Sequence, residues 1–120
     1  MRGKKYWVIP DCELPEEGEG QLKGHESVIV LNKGKKPADI RVTLYYTDSD
    51  KVDGISWYVA AERVRCFRMN AVTDMCGVRI PYNTQYAMRL ISNVPVVVQY
   101  GRLDNRQSNL AYYTTLGYGG

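Results

Sequence analysis

The chain has 120 residues, of which 44% are hydrophobic and 24% are charged, and its formal net charge is +3. This composition is that of a folded soluble domain and excludes an intrinsically disordered protein. The small positive charge permits nucleic-acid binding without requiring it. We expect residues 1–120 to form a single domain around one hydrophobic core.

The start of the chain does not have the features of an export signal. Its apolar stretch, residues 6–9, is shorter than the roughly 7–15 residues of a signal-peptide core. No window approaches the roughly 18 apolar residues that span a membrane. The chain has three cysteines, Cys12, Cys66 and Cys76. Their number is odd and no C-x-x-C motif occurs, so nothing indicates a disulfide framework. We therefore expect a cytoplasmic protein.

Apolar and polar residues alternate with a period of two along most of the chain, which predicts β-strands. The predicted strands are residues 5–10, 26–32, 38–48, 55–60, 62–69, 85–92, 95–104 and 109–116. Their spacing of roughly 8–12 residues is typical of a sandwich or a barrel. We expect an all-β fold, a single-domain antiparallel β-sandwich of about eight strands, with at most one helical turn within residues 70–77.

Alternation also predicts the faces of the strands. In strand 38–48, Ile40, Val42, Leu44 and Tyr46 share one face. A strand with one apolar face and one mixed face is half-buried in a sheet, so we expect this apolar face to line the core.

Connecting and terminal segments carry fewer signals. Residues 10–25 form the longest irregular stretch, and such loops tend to be functional or mobile. Lys33, Lys35 and Lys36 indicate a hairpin loop, and the terminal residues 117–120, Gly-Tyr-Gly-Gly, are expected to fray.

Strand 62–69 carries the strongest basic signal. Arg63, Arg65 and Phe67 alternate on one face, opposite Val64 and Cys66. Basic side chains with an aromatic ring can bind phosphates and stack on bases. Arginines on an exposed strand also protect a sheet edge from pairing, so nucleic-acid binding is an alternative with weak support.

A catalytic site has little support in the sequence. The only histidine, His25, would have to act as the base, and no nucleophile motif accompanies it. Segment 48–50, Asp-Ser-Asp, could hold a divalent cation but is better explained as a turn between strands. Zinc-type spacing, a P-loop and a G-x-G-x-x-G motif are all missing, so we predict no enzyme activity, no cofactor and no metal site. A glycosidase built on paired carboxylates is the enzymatic alternative, because spacing in the chain does not fix separation in space.

Carbohydrate binding is an alternative of another class. The chain has ten Tyr and two Trp but one Phe, so most of its rings carry a polar group that needs a partner. Tyr45, Tyr46, Trp57 and Tyr58 lie on predicted strands, where their rings could stack on sugars while neighbouring polar side chains bind hydroxyl groups. Such rings also fill cores and oligomer interfaces.

Segment 92–107 combines the most apolar strand with a dense polar end. We expect Val96, Val97 and Val98 to be buried on both faces of a central strand, which would hold the residues after it rigidly. Arginine binds carboxylates in a bidentate geometry, so the polar end predicts a buried network at a sheet end or a subunit interface. Its polar residues are Arg102, Asp104, Asn105, Arg106 and Gln107.

Segment 92–107, SNVPVVVQYGRLDNRQ, resembles the Anabaena sensory rhodopsin transducer family. The resemblance extends in order over nearly the whole chain, through Trp7, GHESVIVLN at 24–32, VTLYYTD at 42–48, Arg63, Arg68 with Asn70, IPYNT at 80–84 and TTLGY at 114–118. The chain departs from the family pattern at Tyr82 and Tyr100, where the family often has histidine. These departures bear on rhodopsin docking and on any shared ligand.

The resemblance implies a small β-sandwich protein that forms a cyclic homotetramer and carries a signal from a sensory rhodopsin without catalysing a reaction. Related members have been suggested to bind sugars or DNA. We therefore expect a non-enzymatic signalling adaptor whose partners are its own copies and a membrane sensory receptor or a small sugar-like ligand. The predicted ligand-binding or intersubunit residues are His25, Glu26, Arg63, Arg102, Asp104, Arg106 and Gln107, with Trp7 and Tyr46 as aromatic walls.

Overall fold

The computed structural model describes residues 2–18, 22–105 and 111–120, and these contain strands and turns but no α-helix. This confirms the all-β prediction. In chain order the strands are β1 (Lys4–Glu13), β2 (His25–Asn32), β3 (Ala38–Tyr46), β4 (Val52–Val59), β5 (Arg63–Arg68), β6 (Gln85–Asp104), β7 (Ala111–Leu116) and β8 (Tyr118–Gly119).

The strands form two antiparallel sheets that share β6. In the first sheet the order is β4-β3-β6-β1-β8. In the second sheet the order is β5-β2-β6-β7. A strand that bends from one sheet into the other makes the corner of a sandwich, and β6 does this here.

The bend in β6 follows from the contacts at its two ends. Tyr86 and Tyr100 both donate a hydrogen bond to Glu26, although 14 extended residues would span about 46 Å. Pairing with β3 ends at Ser92, and pairing with β2 begins at Val97. The two strands predicted at 85–92 and 95–104 are therefore halves of one bent strand.

Pro95 lies inside this bend and does not begin a new strand. Proline lacks a backbone N–H and is tolerated where no ladder bond is needed. The pairing of β6 with its neighbours β2 and β3 is interrupted around this residue, so Pro95 fits the corner at no cost to either ladder.

Alternation predicted most of the core correctly. Ile40, Val42 and Leu44 on β3 are buried, as expected of the apolar face, and Tyr46 is half-buried. The three valines of β6 were expected to be buried on both faces, and that prediction is wrong. Val96 and Val98 are buried in the core, whereas Val97 is only half-buried against it.

Strand β5 does not present Phe67 beside its exposed arginines, as the predicted phosphate-binding and stacking face requires. Phe67 is buried and stacks on Trp57, with ring centroids 4.2 Å apart, while Val64 and Cys66 are exposed. Burying an aromatic ring stabilises the core more than burying a single valine, and the guanidinium of Arg65 covers the ring at 4.6 Å from its centroid.

The connections and the C-terminus also differ from expectation. Residues 33–37 link the second sheet to the first, so they are not a hairpin loop. Strand β1 continues to Glu13, which shortens the irregular stretch predicted from residue 10. The C-terminal residues were expected to fray, yet Tyr118 and Gly119 pair with β1.

Between β5 and β6, Met75 N–H donates to the Ala71 carbonyl at 3.0 Å, which gives the single helical turn predicted within 70–77.

Candidate functional site

A buried carboxylate lies where the two halves of β6 approach each other. Glu26, near the start of β2, is 0% exposed. The Tyr86 hydroxyl donates to its Oε1 at 2.6 Å, and the Glu13 backbone N–H donates to its Oε2 at 2.9 Å. The Tyr100 hydroxyl also donates to Oε2. The carboxylate is thus held by donors from β1 and from both halves of β6.

Burial sets the protonation behaviour of this cluster. Removal from water raises the pKa of Glu26, although its hydrogen bonds oppose part of that rise. Burial, followed by the charge of Glu26, raises the pKa values of Tyr86 and Tyr100. The same two causes raise the pKa of the buried Cys12 thiol. Both tyrosines therefore keep their protons and remain donors to the carboxylate.

Arg102 connects the carboxylate to the surface. It lies opposite Glu26 in the β2–β6 register, and its Nε donates to the Tyr100 hydroxyl at 3.2 Å. One of its terminal nitrogens donates to the Tyr113 hydroxyl at 2.5 Å, and its guanidinium carbon lies 5.0 Å from the centre of the Tyr113 ring. Tyr113 is 44% exposed, so a chain of hydrogen bonds runs from a buried anion to the edge strand β7. We call Glu26, Tyr86, Tyr100, Arg102 and Tyr113 the Glu26 network.

An open groove of about 520 Å³ lies beside this network. Its lining includes Leu14, Met69, Arg79 and Tyr82, and the Met69 backbone N–H donates to the Glu26 carbonyl oxygen at 3.1 Å. The lining is mostly apolar with one guanidinium group. Tyr82 belongs to the IPYNT segment that carries part of the family resemblance.

The structure brings together only some of the predicted site residues. Glu26 and Arg102 belong to one network. His25 alternates with Glu26 along β2, so it lies on the opposite face, where its Nδ1 is 2.9 Å from the Lys23 carbonyl oxygen. Asp104 is half-buried at the end of β6, opposite Ala111.

The other predicted residues lie elsewhere. Arg63 pairs with Asn32 at the far end of β2 from Glu26. Trp7, expected as an aromatic wall, is 1% exposed in the core, and its Nε1 donates to the Val96 carbonyl at 3.1 Å. Tyr46 borders the Glu26 network, because its ring centroid lies 6.2 Å from that of Tyr86. Arg106 and Gln107 lie outside the described residues.

Besides the neighbouring Cys12, three tyrosines were not among the predicted site residues: Tyr86 and Tyr100, which donate to the carboxylate, and Tyr113, which accepts from Arg102. Their shared signal was the excess of tyrosine over phenylalanine. Core positions 86 and 100 place a hydroxyl where phenylalanine would place none, which indicates a buried acceptor. Alternation alone does not say which buried acceptor that is.

Two predicted alternatives can be compared with the described residues. Arg63, Arg65 and Arg68 remain exposed on β5, but Phe67 is buried and presents no face on which a base could stack. Among all the residues that the structure describes, no group of three or more His, Cys, Asp or Glu side chains is placed to hold a metal ion. No helix in that part of the chain is long and apolar enough to cross a membrane.

Comparison with known proteins identifies the family. The family model described as Anabaena sensory rhodopsin transducer matches residues 2–119. The solved structure of Thermotoga maritima 1070 is similar with a TM-score of 0.88 and 32% identity, covering 100% of this chain and 97% of that one. The structure of the Anabaena sensory rhodopsin transducer is similar with a TM-score of 0.69 and 34% identity, and the match covers 82% of this chain and 81% of that one. No curated protein matches. The chain therefore belongs to the Anabaena sensory rhodopsin transducer family.

Proposed function

We propose that this single-domain protein is a cytoplasmic, non-enzymatic signalling adaptor that acts as a homotetramer and binds a small ligand or a membrane sensory receptor. The observation that carries the proposal is the exposure of β7. All six residues of this strand are exposed, yet Tyr113 within it ends the Glu26 network.

A strand exposed on both faces buries little apolar surface within its own chain. Exposed apolar surface and an unpaired strand edge are typical of a binding site for another protein. Tyr112 and Leu116, on the outer face of β7, are 66% and 52% exposed. Tyr113, on the other face, is also exposed. Tyrosine is enriched in protein interfaces, because its ring is apolar and its hydroxyl finds a polar partner. A second copy of the chain seated on β7 would cover both faces at once.

Such an interface would include Tyr113, which is linked to the buried carboxylate by hydrogen bonds through Arg102 and Tyr100. A partner that moved Tyr113 would change the hydrogen bonds of Arg102 and, through Tyr100, those of Glu26. The groove lined by Met69 and Arg79 is linked to the same residue, because the Met69 backbone N–H donates to the Glu26 backbone carbonyl oxygen. This arrangement supports a ligand or receptor signal that is passed to the subunit interface.

The chemistry of the network supports binding in preference to catalysis. Both carboxylate oxygens of Glu26 already accept hydrogen bonds, and burial keeps the tyrosine hydroxyls protonated. A general base needs a free position towards its substrate, whereas a carboxylate with donors on both oxygens holds neighbouring elements in place.

Light scattering coupled to size-exclusion chromatography tests the assembly. We expect a mass four times that of the chain at micromolar concentration, and a monomer under these conditions would contradict the proposal.

The receptor role is tested with Anabaena sensory rhodopsin in lipid nanodiscs, titrated calorimetrically with this protein. We expect binding that Arg102→Ala weakens and that Arg41→Ala, a change of an exposed arginine on the first sheet, leaves unchanged. If the protein is a tetramer but binds no sensory rhodopsin, the proposed assembly stands and the proposed receptor role is contradicted.

Carbohydrate binding is a second candidate, favoured by the outer face of the first sheet. Tyr45 and Tyr58 are 36% and 50% exposed there, and the Arg89 guanidinium carbon lies 5.9 Å from the Tyr45 ring centre. Trp57, also expected to contribute, is buried instead. A glycan array should show binding that Tyr58→Ala abolishes and that Tyr112→Ala, on the other sheet, leaves intact.

A further inference from the structure

A second groove lies at the bend of β6, away from the Glu26 network. Its volume is about 460 Å³, which falls within the range of roughly 300–1,000 Å³ typical of small-molecule sites. We call it the bend groove. It is lined by Arg2, Gly3, Leu31, Lys33, Gly34, Lys35, Lys36, Val94, Pro95, Val96 and Val97.

The floor of the bend groove is apolar and accessible. Leu31 is 37% exposed, Pro95 is exposed, and Val94 and Val97 are half-buried. Gly3 contributes to one wall, and a Cβ atom there would lie 2.8 Å from the Val96 backbone nitrogen and oxygen. The N-terminal segment therefore packs directly against the backbone of the bend.

The rim of the bend groove is positively charged. Four of its lining residues are cationic, and none of the lining residues is acidic. Arg2 comes from the N-terminal segment. The other three, Lys33, Lys35 and Lys36, come from the link between the two sheets.

This link is fixed by its own hydrogen bonds. The buried Asn32 side chain donates to the Lys36 carbonyl at 2.8 Å and accepts from the Gly34 N–H at 3.0 Å. The Glu62 N–H donates to the Gly34 carbonyl at 3.0 Å. The lysine stems therefore start from a defined backbone, which reduces the entropy lost when their ammonium groups bind an anion.

We propose that the bend groove binds a small anionic amphiphile, a carboxylate or phosphate monoester that carries a short alkyl chain. Exposed lysines bind a bare anion weakly in water, and an apolar floor alone gives no preference for charge. Together they favour a ligand whose chain covers Leu31 and Val97 while its anionic head lies among the lysines. This function is separate from the adaptor role proposed above and does not depend on it.

Isothermal calorimetry with sodium octanoate, at low ionic strength, tests the proposal. We expect octanoate to bind at least tenfold more tightly than acetate, which lacks the chain, and than 1-octanol, which lacks the charge. The double variant Lys35→Ser/Lys36→Ser should weaken octanoate binding at least fivefold, and Leu31→Ser should weaken it to a similar degree. The matched control, Lys23→Ser/Arg41→Ser, removes two exposed cations outside the groove and should bind as the wild type does. Circular dichroism confirms that each variant is folded.

Other outcomes overturn the proposal. Equal affinity for octanoate and octanol would mean adsorption to apolar surface. Equal weakening by the control variant would mean a general charge effect. Vesicles of phosphatidylcholine and phosphatidylglycerol, an acidic peptide and a DNA duplex form the remaining arms. Binding of any of these by a protein that does not bind octanoate would assign the cationic rim to a macromolecular partner.

Discussion

At the scale of single residues, the defining feature is an anion placed in the core with hydrogen-bond donors to both of its oxygens. Glu26 accepts hydrogen bonds from two tyrosine hydroxyls and one backbone N–H. An unpaired buried carboxylate would cost several kcal/mol. Each of these donors therefore contributes to keeping the charge of Glu26 tolerable inside the sandwich.

The pH dependence of stability should depend on Glu26. Its pKa is raised in the folded state, so between the unfolded value of about 4.3 and the raised value the folded chain binds more protons than the unfolded chain. Stability should then fall as pH rises through this window. Urea unfolding from pH 4 to pH 8 should show this fall in the wild type and lose it in Glu26→Gln. The exposed Glu16→Gln is the control, and a Glu26→Gln protein that retained the wild-type slope would contradict the expectation.

The Tyr86 hydroxyl should stabilise the fold through the same carboxylate. Tyr86→Phe removes the donor to Glu26 Oε1, and we expect a loss of about 1–3 kcal/mol, the cost of an unsatisfied buried acceptor. Tyr46→Phe is the matched control, because it keeps the ring contact with Tyr86 and should change stability by less than about 0.5 kcal/mol. Equal losses in chemical denaturation of the two variants would assign no special role to the hydroxyl of Tyr86.

At the scale of elements, β6 decides which side chains meet. Alternation predicted strands at 85–92 and 95–104, and buried residues such as Tyr86, Met88 and Leu90 do alternate there with more exposed ones. It did not predict that residues 85–92 and 95–104 belong to one strand. A bend around Pro95 depends on which partners each half finds, and those partners are distant in sequence.

The N-terminal segment packs directly on this bend. A Cβ atom at Gly3 would approach Val96 backbone atoms to 2.8 Å, and backbone cannot give way as a flexible side chain can. We expect Gly3→Ala to destabilise the protein by about 1–3 kcal/mol, the usual range for overpacking. Gly120→Ala, whose Cβ would meet nothing within 4 Å, serves as control in thermal unfolding. A Gly3→Ala protein as stable as the control would show that the segment can move away from β6.

At the scale of the whole molecule, β7 is incompletely covered within one chain. Its exposed Leu116 and Tyr112 lie on the edge of the second sheet, and this edge is where we propose that copies associate. The Glu26 network reaches the same edge through Tyr113, so assembly and the buried charge are expected to influence each other.

A charge on this edge should break the proposed assembly. Leu116→Asp would place a carboxylate in the apolar part of the interface, where its desolvation is unfavourable. Light scattering should show at least a tenfold higher midpoint concentration for tetramer dissociation. Val72→Asp, at a residue that is 49% exposed in the turn region between β5 and β6, is the control and should leave the mass unchanged. Identical masses for the two variants would place the interface elsewhere.

The sequence by itself determined the class of fold, the family and most inward-facing positions, because alternation and motif order are local properties of a chain. It also singled out Glu26 and Arg102 as polar residues of interest. Only the tertiary structure decided that Tyr86 and Tyr100 meet at Glu26, that Phe67 turns inwards, and that Tyr118 and Gly119 pair with β1. Each of these depends on which distant strands pair, and pairing is fixed by how the whole chain buries its apolar surface.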